Sequence, residues 1–145
     1  MRQAIYLDCN ATTPLRREAR AAIEDVLAQA GNPSSVHRFG RLARRAVEDA
    51  RESVAALVGA RPRQVVFTAG ATEANNLALA GSGRMRILAG ATEHPSVLNA
   101  RAAGAIEIVP VDGNGVVDLA VLERMLASDE RPALVSLMLA NNETG

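Results

Sequence analysis

Three polar clusters, far apart in the chain, carry groups able to grip a phosphorylated ring: Gly70-Ala71-Thr72, Thr92-Glu93-His94-Pro95 and Asn141-Asn142-Glu143-Thr144-Gly145. Val65-Val66-Phe67-Thr68 reads as a short apolar strand running through Gly70 and Ala71 into a helix. The backbone N–H groups that open a helix lack internal partners and sit at the positive end of its dipole, so the junction is a ready anion cradle. Thr72 has two uses there, as an N-cap or as a hydroxyl and N–H donor to phosphate. Glu73, in the first helical turn, suits the dipole and reads as structural.

His94 is either an ordinary hydrogen-bonded surface residue or an imidazole placed to stack on a flat ring and relay protons near neutral pH. Asn141 reads as an amide serving loop backbone, whereas Asn142 could present its amide to a ligand oxygen. The other histidine is His37, and with one histidine in each of two separate segments a metal triad has little support, so no metal is expected. Cys9 in Asp8-Cys9-Asn10 has no basic neighbour in sequence and reads as an inert packed thiol. A Walker motif is excluded for want of lysine, and Gly81-Ser82-Gly83 does not continue into a dinucleotide-binding glycine pattern.

The elements that must position these groups follow from pattern. Residues 4–8 read as a strand or extended arm, and Ala11-Thr12-Thr13-Pro14 supplies a capping threonine and a proline for a helix over roughly 14–30. Gly31-Asn32-Pro33-Ser34-Ser35 breaks that helix, and a longer one over roughly 37–58 ends at Gly59. Its Arg44/Glu48 and Arg45/Asp49 spacings predict i,i+4 pairs on a solvated face. Alternation then sets in, with strands at 65–68, 86–89, 106–111 and 133–139 and helices at 72–81, 95–103 and 118–127. Such alternation predicts an α/β fold with a parallel sheet and right-handed crossovers. Asp112-Gly113-Asn114-Gly115 carries hairpin-type turn signals but reads as a loop before the helix at 118. Ligands of such sheets bind beyond the carboxyl ends of the strands, where all three polar clusters are expected to converge.

Composition narrows the function classes. At 145 residues and 48% hydrophobic content the chain can form a real core, and 16 basic against 16 acidic residues leave no net charge to attract nucleic acid or an anionic membrane. No apolar run reaches membrane-spanning length, and the Met1–Asp8 segment lacks the apolar core of a signal peptide, so a cytoplasmic location is expected. All 16 basic residues are arginine, so no side-chain amine in the sequence can form a Schiff base.

With these blocks in hand, the chain resembles the pyridoxal-phosphate-dependent cysteine desulfurases of the NifS/IscS type, in the class V aminotransferase superfamily. The resemblance rests on Tyr6-Leu7-Asp8 with Asn10-Ala11-Thr12-Thr13-Pro14, on Gly31-Asn32-Pro33-Ser34-Ser35 with His37-Arg38-Phe39-Gly40, and on Phe67-Thr68 with Gly70-Ala71-Thr72-Glu73. Thr92-Glu93-His94 and Asn141-Asn142-Glu143-Thr144-Gly145 complete it. It implies the first part of a fold-type-I large domain over 14–145, with residues 1–13 joining the small domain as an N-terminal arm. Ala71 and Thr72 would hold the pyridoxal 5'-phosphate phosphate group, and His94 would stack on the pyridine ring and assist proton transfer. Asn142 would hydrogen-bond near the cofactor's phenolic oxygen and the substrate carboxylate, with Asn10 a further candidate for substrate contact.

The same resemblance implies conversion of L-cysteine to L-alanine with sulfur passed to an enzyme cysteine, a homodimer, and an iron–sulfur scaffold or other sulfur-acceptor protein as partner. The family's Schiff-base lysine, catalytic cysteine, pyridine-pairing aspartate and substrate-binding arginine have no counterpart in these residues. Cys9 falls at a variable position and is not the sulfur acceptor. The chain alone is therefore expected to be inactive, and, with a sheet lacking further strands, poorly soluble or partly unfolded. Alternatives are a selenocysteine lyase or another class V lyase or aminotransferase, and a non-catalytic remnant or one half of a split protein.

Overall fold

The computed structural model describes residues 5–100, 104–143 and 145. They form two compact units, one ending at Phe67 and the other running from Thr68 to Gly145. The first holds α1 (Arg17–Leu27), α2 (Arg38–Leu57) and a 3-10 turn at Pro62–Gln64. α1 begins later than the threonine-proline pattern predicts. Arg16 is still extended and caps with no side-chain bond, which leaves Thr12 and Thr13 too far upstream to reach the first free N–H groups. Cys9 is exposed rather than packed, because the segment around it forms a turn with no regular element to cover it.

α2 is bounded by identifiable devices. His37 accepts the Gly40 N–H on Nδ1 at 3.3 Å, and a Cβ on Gly40 would lie 2.1 Å from the Ser35 carbonyl oxygen, so only glycine lets the preceding turn pack so closely. At the other end Gly59 takes φ 66°, the Ala60 N–H bonds to the Ala55 carbonyl at 2.8 Å and the Gly59 N–H to that of Ala56 at 3.4 Å. This is a Schellman closure, and it ends the helix where the sequence predicts. A Cβ at Gly59 would meet nothing within 4 Å, so Gly59→Ala isolates the backbone cost of a left-handed residue. A loss of about 1–2 kcal/mol is expected in equilibrium unfolding.

Of the pairs predicted on α2, Arg45 and Asp49 lie at 3.8 Å, but Glu48 pairs with Arg51 at 3.1 Å instead of with Arg44. Arg51 is held there by other contacts, donating to the Val65 carbonyl and standing 5.0 Å over the Phe67 ring. The Val65–Thr68 segment is not a strand. Val65 is extended, but the segment pairs with no neighbouring strand, and apolar content alone supplies no ladder partner.

The second unit contains α3 (Ala71–Gly81), β1 (Arg86–Gly90), α4 (Pro95–Leu98), β2 (Ala105–Val109), α5 (Leu119–Ala127) and β3 (Ala133–Ser136). The three strands are parallel in the order β2-β1-β3. Successive residues of a strand face opposite ways, so the apolar run of β1 feeds two cores. Ile87 and Ala89 pack with Leu79 of α3 and Val97 of α4, while Leu88 packs with Val109 and Leu122 of α5 on the other side. The predicted helix at 95–103 is only a turn and a half at most, Pro95–Leu98 with Asn99 closing it, and residues 101–103 lie outside the described set. Thr72 is inside α3 rather than its N-cap, since Gly70 takes that position in an extended conformation. The hairpin signals of Asp112–Gly115 are expressed as a tight reversal, with Val111 and Val117 bridged antiparallel and Gly115 at φ 81°.

One charged side chain is built into this unit. Arg86 is only 3% exposed, and its guanidinium makes a bidentate pair with Glu107 at 2.7 and 3.1 Å while also donating to the carbonyls of Met125 and Asp129. It thereby fastens β1 to β2 and to the end of α5. The Arg86 hydrogen bond holds the Glu107 carboxyl below its usual range, and Arg131 does the same for Asp129 more strongly. Both carboxylates bind protons more readily in the unfolded chain. Their stabilisation is complete above the ordinary carboxylate range near pH ~4 and is lost as pH falls through it toward the depressed folded values. Melting temperature followed from neutrality downward should therefore drop on acidification, and Glu107→Gln should start lower and fall less steeply. Parallel curves for the two proteins would refute the assignment.

Among the described residues no helix is long and apolar enough to cross a membrane. Many large apolar side chains are exposed, including Leu7, Leu27, Val36, Leu57 and Leu139, and α1 buries none of its residues. The 145-residue chain on its own is expected to elute in size-exclusion chromatography as associated species, not as a sharp monomer.

Candidate functional site

The strand order creates the site. β1 connects through α4 to β2 on one side while β3 pairs with its other edge, so the loops leaving the carboxyl ends of β1 and β3 stand side by side with a crevice between them. A cavity of about 470 Å3 occupies it, lined by Thr92, Glu93 and His94 from the first loop and Met138, Asn141 and Asn142 from the second. Two of these residues tie the loops together. Ser136 Oγ donates to Glu93 Oε1 at 3.0 Å, and Asn141 Nδ2 donates to the Thr92 carbonyl at 3.1 Å. Asn141 also accepts the Glu143 N–H on Oδ1 at 2.7 Å, the loop-serving role its position predicts. Asn142 is exposed on the cavity lining.

His94 is extended and caps α4, accepting the Ser96 N–H on Nδ1 at 3.0 Å. The Ser96 hydroxyl stands 2.8 Å from the same nitrogen. Pro95 at the first helical position has no N–H to lose, so the turn starts without an orphan donor there. The histidine ring is thus anchored by one edge and lines the cavity.

The predicted cradle is a separate cavity of about 550 Å3, lined by Ala69–Glu73 and Asn76. The first intrahelical bond of α3 runs from the Ala74 N–H to the Gly70 carbonyl at 3.1 Å, which leaves the N–H groups of residues 71–73 ahead of it. Glu73 turns its carboxylate back to the Ala69 N–H at 2.6 Å. Free backbone donors, the Thr72 hydroxyl and an open approach over Gly70, where a Cβ would meet nothing, are chemically suited to a phosphate. His94 and Asn142 therefore share a cavity, whereas Ala71 and Thr72 line another, because the 65–68 segment does not join the sheet that aligns the other two. Asn10 is exposed in the first unit. No group of three or more His, Cys, Asp or Glu side chains able to hold a metal occurs among the described residues.

Ser96 carries no signal of its own in the sequence, and Glu93 stands out only as part of the Thr92–Pro95 cluster. Asn75 had a readable signal: it lies one turn before the buried Leu79 on the same helix face, where an apolar residue is the norm.

Residues 5–145 match the aminotransferase class-V family. The chain belongs to that family. A cysteine desulfurase of Frankia sp. is 47% identical over 97% of this chain and 38% of its own length, and the cysteine desulfurase IscS of Dictyoglomus turgidum is 40% identical over 100% of this chain and 39% of its own. The class-V chain thus spans about two fifths of these curated relatives. A NifS-like protein from Rickettsia africae superposes with a TM-score of 0.85 at 34% identity, covering 99% of this chain and 41% of that one. DndA from Streptomyces lividans does so with a TM-score of 0.74 at 36% identity, over 97% and 42%. The α/β, mostly parallel architecture expected from the sequence is the one this class-V chain has.

Proposed function

We propose that this chain is the first part of a pyridoxal-phosphate-dependent cysteine desulfurase that converts L-cysteine and an enzyme thiol to L-alanine and an enzyme persulfide. The observation that carries the proposal is the 47% identity to a cysteine desulfurase, combined with a cavity at the strand ends that brings His94 and Asn142 together. When bound, the cofactor supplies the electron sink that the reaction on an amino acid needs. Ala71 and Thr72 hold its phosphate with backbone and hydroxyl donors. His94, on the cavity lining, would face the ring and could hold or give up a proton there, and Asn142 on the same lining would offer its amide N–H to an oxygen of the cofactor or the substrate. The resemblance assigns residues 1–13 to an arm of the small domain and 14–145 to the start of the cofactor-binding domain; residues 1–4 lie outside the described residues. Asn10 is a substrate contact. The enzyme works as a cytoplasmic homodimer and hands sulfur to an iron–sulfur scaffold or another acceptor protein.

The sequence contains no lysine, so this reading requires the Schiff-base amine to come from outside these residues, and it does not use Cys9 as the sulfur acceptor. The 145-residue chain alone should release no alanine from L-cysteine. The phosphate assignment is tested by titrating the complete natural protein with pyridoxal 5'-phosphate and with unphosphorylated pyridoxal. Thr72→Ala should weaken the first by about 10- to 100-fold, the worth of one charge-assisted hydrogen bond, and leave the second unchanged. Equal weakening of both would place Thr72 away from the phosphate.

A further inference from the structure

The hydrogen bonds around His94 do more than cap a helix. Asn75 Nδ2 of α3 lies 2.7 Å from Ser96 Oγ, which lies 2.8 Å from His94 Nδ1, and the Ser96 N–H reaches the same Nδ1 at 3.0 Å. Ser96 is 7% exposed and Asn75 half-buried, so water competes poorly for these groups. Only one polarity satisfies all three contacts. The backbone N–H of Ser96 is an obligatory donor and biases Nδ1 toward the unprotonated, accepting form, a bias that a donating Ser96 hydroxyl strengthens. The Ser96 hydroxyl, facing that same lone pair, donates to it as well. An oxygen that donates its hydrogen to Nδ1 keeps its lone pairs for a donor on the other side, and the Asn75 NH2 group is that donor. The opposite polarity, with Nδ1–H donating to Ser96 and Ser96 to an Asn75 carbonyl, would set the Nδ1 hydrogen against the Ser96 N–H.

We infer that Asn75 and Ser96 are positioning residues that lock neutral His94 as its Nε2–H tautomer. A neutral imidazole has a proton on one nitrogen only, so the anchored edge fixes which atom of the opposite edge carries it. His94 is thereby presented with a donor at Nε2 and a fixed ring plane, and a helix distant in sequence sets both. The inference rests on the reading of His94 as the ring partner of the cofactor, but the tautomer exists whether or not cofactor binds.

The experiment reads the tautomer directly. In the complete natural protein carrying this chain, with 15N-labelled histidine and without cofactor, long-range 1H–15N correlation at a pH where the imidazole is neutral assigns each ring nitrogen. Wild-type His94 should show a protonated Nε2 and an unprotonated Nδ1. Asn75→Asp offers Ser96 an acceptor in place of a donor and turns its hydroxyl away, so the Nδ1–H population should rise by up to about tenfold. Ser96→Ala should raise it in the same direction, and Ser96→Thr, which keeps the hydroxyl, should restore the wild-type pattern. If Asn75→Asp fails to fold, the Ser96 pair decides alone. Protonated Nδ1 in the wild type, or an unchanged tautomer ratio in folded Asn75→Asp and Ser96→Ala proteins, would overturn the inference. Failure of pyridoxal 5'-phosphate to bind with the tautomer locked as described would instead count against the functional reading.

Discussion

Replacing His94 with asparagine should lower kcat of the complete natural protein on L-cysteine by about 10²–10⁴-fold, the usual worth of a positioned acid–base group, with a much smaller change in KM. Asparagine is the informative substitution because His94 caps α4 and, under the proposed function, also carries an acid–base duty. Its Nδ1 caps α4 through the Ser96 N–H, and a short amide side chain is among the better N-caps. His94→Asn therefore keeps the start of the helix while removing the imidazole. His94→Ala removes both and should add a stability loss of about 1 kcal/mol to the same loss of turnover. Near-native kcat in the asparagine variant would show that the ring serves only the fold. Loss of activity matched by loss of folded protein in both variants would show the same.

Leu88→Ala should cost about 2–5 kcal/mol of stability, the range for a large aliphatic side chain deleted from a packed core. Leu88 is fully buried in the central strand and packs against Val109 and Leu122, with Val117, Met125 and Ala133 closing around them. The cavity left behind is bounded by a strand on one side and α5 on another, neither of which can collapse without disturbing the β1 pairing that fixes the loop carrying His94. Leu139, by contrast, is fully exposed, and Leu139→Ala should change stability by no more than about 0.5 kcal/mol. Urea denaturation of both variants, made in the complete natural protein, compares them. Equal midpoints would mean that the core is not where the structure places it.

How far these features can be read in the sequence depends on whether their cause is local. The end of α2 at Gly59 and the cap of α5 at Asp118, which accepts the Val121 N–H at 3.0 Å, are set by residues within a turn of the boundary; the pattern predicts the first and places the start of α5 within one residue. The apolar run at β1 needs no partner to be recognised, since a strand buried on both faces is apolar throughout. Val65–Thr68 has the same look, but a strand is defined by pairing, and Arg51 and Phe67 tie this segment to α2 instead. Thr12, Thr13 and Thr72 have the right chemistry for caps but stand two to four residues from the N-cap positions at Arg16 and Gly70, a displacement that backbone geometry decides. The candidate site divides the same way. His94 and Asn142 were placed by strand ends that the sequence shows, whereas the Asn75–Ser96 link joins residues whose meeting depends on how α3 packs on α4.

The proposed function is tested most directly by incubating the complete natural protein, loaded with pyridoxal 5'-phosphate, with L-cysteine and quantifying L-alanine together with protein-bound persulfide. The reading predicts L-alanine formed with one equivalent of transferred sulfur per turnover, abolished or nearly so in His94→Asn. Alanine formation indifferent to His94, or a loaded protein that leaves L-cysteine unchanged, would contradict it.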